Sequence, residues 1–103
     1  MGRYLAICLV LAATQAGTQS LIVDPVAGRN LALRACAECH AVANQPGGQV
    51  SDAVPSFTTI ARSRTTTELS LRVFLQTPHA PMPNLMLARR EIDDVVSYIL
   101  SLK

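Results

Sequence analysis

The stretch Cys36-Ala37-Glu38-Cys39-His40 constrains this chain more than any other. Two thiols stand three positions apart and an imidazole follows at once, which is the spacing that attaches haem covalently. Each thiol reaches one vinyl group on a single edge of the porphyrin, and the next side chain projects towards the iron. Three other uses of the same residues fit less well. A thioredoxin-like redox pair needs a βαβ context, and no alternating run is long enough for a strand. A structural zinc site needs a fourth ligand, for which His79 is the remaining imidazole. A Cys36–Cys39 disulfide needs an oxidising compartment.

That compartment is suggested by the N-terminus. Arg3 is followed by a charge-free apolar run over residues 5–13, then by the small residues Ala16 and Gly17, then by polar Thr18, Gln19 and Ser20. This order is that of a secretory signal peptide, expected over residues 1–16, with one domain over 17–103 and a periplasmic location. The run falls short of the roughly 20 apolar residues that a membrane-spanning helix needs, and an uncleaved anchor is the alternative. Cys8 lies inside the run, which leaves Cys36 and Cys39 as the thiols of the expected mature domain.

Composition narrows the choice further. A chain of 103 residues has room for a single domain, and its net charge of +2 comes from scattered basic residues. A nucleic-acid binder would cluster them into a patch. Mean hydropathy of +0.29 argues against disorder. Only 4% of residues are aromatic and there is no Trp, so the rings that usually dominate core burial are scarce.

Helices are expected in three places. Asp24-Pro25 reads as an N-cap followed by Pro at the first helical position, opening a helix that runs to about Cys36. Thr65 with Glu68 reads as a capping box for a second helix through Leu69, Leu71, Val73, Phe74 and Leu75, stopped by Pro78. Ile92, Val95, Val96, Ile99 and Leu100 form one apolar stripe, with Glu91, Asp93 and Asp94 at the favourable N-terminal end and Lys103 at the other. Residues 56–61 read as a short helix or turn, 41–55 as loop, and 79–87, with Pro81 and Pro83, as extended loop. Three or so helices on such long loops make a poor core from side chains alone. A prosthetic group in the middle resolves this, with Phe57, Ile60, Leu69, Phe74, Leu85, Val96 and Ile99 as the expected pocket or core lining.

His40 is the expected proximal ligand of the iron. Met82, held between two prolines that stiffen the backbone, is the leading candidate for the opposite position. Met86 and His79 are the alternatives, and an open site is a third.

Taken together, the chain resembles the class I c-type cytochromes, small carriers of bacteria and mitochondria, over nearly all of residues 17–103. Gly28 stands eight residues before Cys36, where the family has a Gly at the crossing of its first and last helices. Tyr98 matches the aromatic of the last helix. Val54-Pro55-Ser56-Phe57 with Ile60-Ala61 looks like the segment after the haem-binding helix. His79-Ala80-Pro81-Met82-Pro83-Asn84-Leu85 with Glu91-Ile92 looks like the distal loop and last helix. Ala32 departs from the aromatic that many members carry.

The resemblance implies an all-α cytochrome c fold, with terminal helices crossing and a third helix and long loops wrapped around one covalent haem c. It implies thioether bonds from Cys36 and Cys39, iron ligation by His40 and Met82, and a hydrogen bond from His40 to the Pro55 carbonyl, with Phe57 against the haem. It also implies one-electron transfer and no enzymatic reaction. Expected partners are redox proteins such as a quinol–cytochrome c reductase, a terminal oxidase or a periplasmic dehydrogenase. A haem-bearing subunit of such a dehydrogenase, or a gas- or peroxide-binding protein if Met82 is not a ligand, are the alternatives. The chain is expected to be a monomer that meets a membrane only through a partner or an uncleaved anchor. Arg62, Arg64, Arg89 and Arg90 read first as arginines on solvated faces, with a docking rim or pairing with haem propionates as the alternative.

Overall fold

A computed structural model describes residues 22–43, 54–77 and 81–103. The expected signal peptide, Cys8, the middle of the loop after His40, Pro78 and His79 all lie outside them. Four helices form in chain order: α1 (Pro25–Ala35), α2 (Phe57–Arg62), α3 (Glu68–Gln76) and α4 (Arg89–Leu100), and no strand forms among the described residues. No helix among them is long and apolar enough to cross a membrane.

Local chemistry sets most of the boundaries. Asp24 caps α1 as its spacing predicts, its Oδ1 accepting from the amides of Val26 and Ala27 at 2.9 and 3.0 Å. Ser56 caps α2 through the Thr59 amide at 3.1 Å. The start of α3 differs from the sequence expectation. Thr67 rather than Thr65 is the N-cap, and Ser70 rather than Glu68 completes the reciprocal pair, at 2.8 and 3.0 Å. Three consecutive threonines offer the same hydroxyl, and Ser70 also bonds the Thr65 carbonyl, which fixes the later start. At α4 the Ala88 amide donates to Glu91 Oε2 at 2.8 Å. Lys103 lies beyond the end of α4, with Nζ 3.5 Å from the Thr66 carbonyl.

The helices α1, α2 and α3 all pack on α4, and α1 makes the most extensive contact. The core is built there: Ala32, Leu71, Ile92, Val95, Val96, Tyr98 and Ile99 are buried, with Val42, Phe57 and Ala61 from the intervening segments. Gly28 makes the α1–α4 crossing possible, because a β-carbon on it would lie 1.9 Å from the Asp94 carbonyl oxygen. Ala32, one turn further along α1, is fully buried. A small side chain at that position lets the two backbones stay close.

Asp94 is the buried charged residue of this crossing. Its Oδ1 accepts from the Asp24 amide at 2.8 Å, and Arg90 stands 3.5 Å from its Oδ2. A second polar tie joins α3 to α4, where Arg72 pairs with Glu68 on its own helix at 2.9 Å and with Asp93. The flanking carboxylates, Asp93 above all, push the Arg72 guanidinium pKa up from an already high value.

Two expected lining residues are not part of the side-chain core. Leu69 and Phe74 are 70% and 56% exposed. Five apolar residues crowd into α3, and the pair that turns towards α4 is Leu71 and Leu75. Of the others, Phe57, Val96 and Ile99 are buried, and Ile60 and Leu85 pack on the core partly buried.

Candidate haem site

The two cysteines stand at the end of α1 and just beyond it. Cys36 is the C-cap residue of α1, its amide bonded to the Ala32 carbonyl at 2.8 Å. Its own carbonyl then accepts from the amides of Cys39 and His40 at 3.1 and 2.8 Å, so the chain closes a tight turn that carries all three residues. Cys36 is buried and Cys39 exposed, and neither is in a disulfide. Burial pushes the Cys36 thiol pKa up, disfavouring its thiolate.

His40 is fixed by its Nδ1, which lies 2.7 Å from the Pro55 carbonyl oxygen. A carbonyl only accepts, so Nδ1 carries the proton and Nε2 keeps its lone pair for a metal. The imidazole also packs on Phe57, ring centroids 5.4 Å apart. Phe57 reaches on to Tyr98 at 6.3 Å. Pro55 is exposed, while Phe57 is 4% exposed at the start of α2.

The two residues after His40 are held as firmly. The Ala41 carbonyl accepts from the Phe57 amide at 2.9 Å, and the Val42 carbonyl accepts from the Tyr98 hydroxyl at 2.7 Å. The sequence marks Tyr98 only as the aromatic of the last helix and gives Val42 no role. The tie spans 56 residues of chain, and no local pattern signals it.

The methionines part company. Met82 is half-buried between exposed Pro81 and Pro83, whereas Met86 is 84% exposed. Met86 also has φ of 49°, a left-handed backbone inside a segment expected to be extended throughout. Asn84 stabilises that bend, its Oδ1 accepting from the Met86 amide at 3.1 Å. Arg62, Arg64, Arg89 and Arg90 are exposed.

Two observations fit these residues to a covalently held haem. The donor set is a pair of cysteines outside any disulfide with an imidazole whose lone-pair nitrogen is defined by its partner. The outer side of α3 leaves Leu69, Val73 and Phe74 exposed, an apolar surface that a flat macrocycle would cover. No group of three or more His, Cys, Asp or Glu side chains suited to a bare metal ion occurs among the described residues.

The comparisons agree. The family model described as Cytochrome c matches residues 25–103. Cytochrome c-552 of Bradyrhizobium diazoefficiens is 44% identical over 97 residues, covering 94% of this chain and 92% of that protein. No solved structure is significantly similar. With a match reaching from α1 to the last residue and a relative this close along nearly its whole length, the chain belongs to the cytochrome c family, carries covalent haem c and is an electron carrier.

Proposed function

We propose that this chain is an exported, non-enzymatic shuttle that moves single electrons between periplasmic or membrane redox partners, with His40 and Met82 as the two axial ligands of its haem iron. When bound, the haem supplies a one-electron couple between ferric and ferrous iron. The protein's part is to hold that couple in place and to set its potential.

Cys36 and Cys39 would each form a thioether, so that the group stays attached through many oxidation cycles. His40 offers Nε2 while Pro55 holds Nδ1–H, which sets the ring orientation and raises the basicity of the ligand. Met82 offers a thioether from a backbone stiffened on both sides by proline. With both His40 and Met82 holding the iron, no position would stay open to a substrate, so the group would supply electron transfer rather than binding or catalysis. A quinol–cytochrome c reductase, a terminal oxidase or a periplasmic dehydrogenase would be the partners that supply or take the electron.

The single observation that carries this reading is the 2.7 Å approach of His40 Nδ1 to the Pro55 carbonyl, at the end of the turn that carries both cysteines. The half-burial of Met82 beside the exposure of Met86 favours Met82 as the second ligand.

Absorption spectra of the purified protein in both oxidation states test the proposal. Sharp reduced bands and a weak far-red ferric band of thioether ligation are expected. Met82→Ala abolishes the far-red band and Met86→Ala keeps it. A high-spin ferric spectrum, or ready carbon monoxide binding by the unsubstituted protein, overturns the ligation in favour of a gas- or peroxide-binding role.

A further inference from the structure

Three consecutive residues are tied down one after another. His40 bonds Pro55 through its side chain, Ala41 bonds Phe57 through its carbonyl, and Val42 bonds Tyr98 through its carbonyl. The first two ties go to the start of α2. The third goes to α4, and it is the one tie of the three that anchors this segment to the helix at the centre of the core.

Both ends of that third bond are buried, Val42 at 4% and Tyr98 at 7% exposure. Water therefore does not readily replace the hydroxyl if it is lost, and the Val42 carbonyl has to move to find a partner. Phe57 adds a second route between the same residues. Its ring lies between those of His40 and Tyr98, and its amide holds Ala41. Movement at Val42 is passed along the backbone to Ala41 and from there to the imidazole.

We infer that Tyr98 is a positioning residue for the proximal ligand: through Val42 and Phe57 its hydroxyl holds His40 against the Pro55 carbonyl and so tunes the potential of the electron carrier. This rests on the reading of His40 as an iron ligand. A short Nδ1–H···O bond makes the imidazole a stronger donor, and a stronger donor favours ferric iron. Tyr98→Phe keeps the ring but removes the donor, so the segment loosens, the His40–Pro55 bond weakens and ferric iron loses support. The sign is therefore a higher midpoint potential.

The experiment uses the haem-loaded protein and its Tyr98→Phe variant. The expected result is a raised midpoint potential with absorption bands unchanged. The His40 Nδ1–H should also exchange with solvent on the order of five- to tenfold faster, the factor carried by one typical hydrogen bond. Val95→Ala is the control, since Val95 is equally buried on α4 and bonds nothing in this segment. It should lower the melting temperature and leave both readouts alone. An unchanged or lowered potential in Tyr98→Phe overturns the inference, as does the same shift in Val95→Ala.

A measurement on the unsubstituted protein stands beside the variants. With each observed rate divided by that group's own intrinsic exchange rate, the Tyr98 hydroxyl and the His40 Nδ1–H should share one protection factor, and unrelated protection factors overturn the inference. Failure of the ligation reading is seen separately, as a high-spin spectrum before any substitution, and the exchange rates still report whether Tyr98 holds His40 on Pro55.

Discussion

The α-carbon of Gly28 stands so close to Asp94 that a β-carbon there would meet the Asp94 carbonyl oxygen at 1.9 Å and its carbonyl carbon at 2.4 Å. Both atoms belong to the backbone of α4 and have no rotamer by which to swing away. Gly28→Ala therefore drives α1 from α4 and opens the seam at Ala32, Val95 and Val96. Overpacking of this kind costs about 1–3 kcal/mol, and the upper end is expected here. A denaturant titration of the haem-loaded variant checks it, and a midpoint within error of the parent would show that the helices slide instead.

Asp94 supplies a second, separable part of the same contact. Its Oδ1 accepts from the Asp24 amide, and Asp24 in turn caps α1. Asp94→Ala leaves that amide without its acceptor and should cost about 1–3 kcal/mol. Asp94→Asn keeps an oxygen in the same place and should cost less. Equal losses in the two variants would assign the effect to the carboxylate charge rather than to the hydrogen bond.

Removing the polar tie between α3 and α4 should matter little. Arg72→Met breaks the pairs with Glu68 and Asp93, and with solvent near the guanidinium the loss is expected at about 0.5–1 kcal/mol. The difference from the parent should shrink as salt is added, since screening weakens the pairs in the parent. Thermal melts at low and high ionic strength measure it.

Met86→Gly should stabilise the protein. A left-handed backbone costs an ordinary residue about 1–2 kcal/mol, and part of the relief is offset by the larger unfolded-state freedom of Gly. A net gain of about 0.5–1 kcal/mol is expected. The far-red ferric band should be unaltered, and its loss would make Met86 the iron ligand.

The parts of this molecule that were legible in the sequence are those governed by neighbours along the chain. Asp24-Pro25 specifies the start of α1, and the stripe of Ile92, Val95, Val96 and Ile99 specifies which side of α4 is buried. The cysteine-histidine turn is legible because its chemistry is local. In α3 the local signals compete: three threonines precede it and apolar residues fall on every side. The threonines therefore point to a cap two residues too early, and the pattern does not separate Leu71 and Leu75, which pack on the core, from Leu69 and Phe74, which stay exposed. The tie between Tyr98 and Val42 depends on how α4 lies beside a loop far away in the chain. The contrast between Met82 and Met86 depends on burial and on one backbone angle, which composition does not encode.

The crossing of α1 and α4 works as a clasp. It brings the start and the finish of the matched region, residues 25–103, side by side, so the stretches between them hang from a closed ring rather than from a free string. A few positions gained or lost between the helices would change the girth of the ring without unfastening it. Connecting segments can then vary in length while the hinge holding the ends together stays as it is.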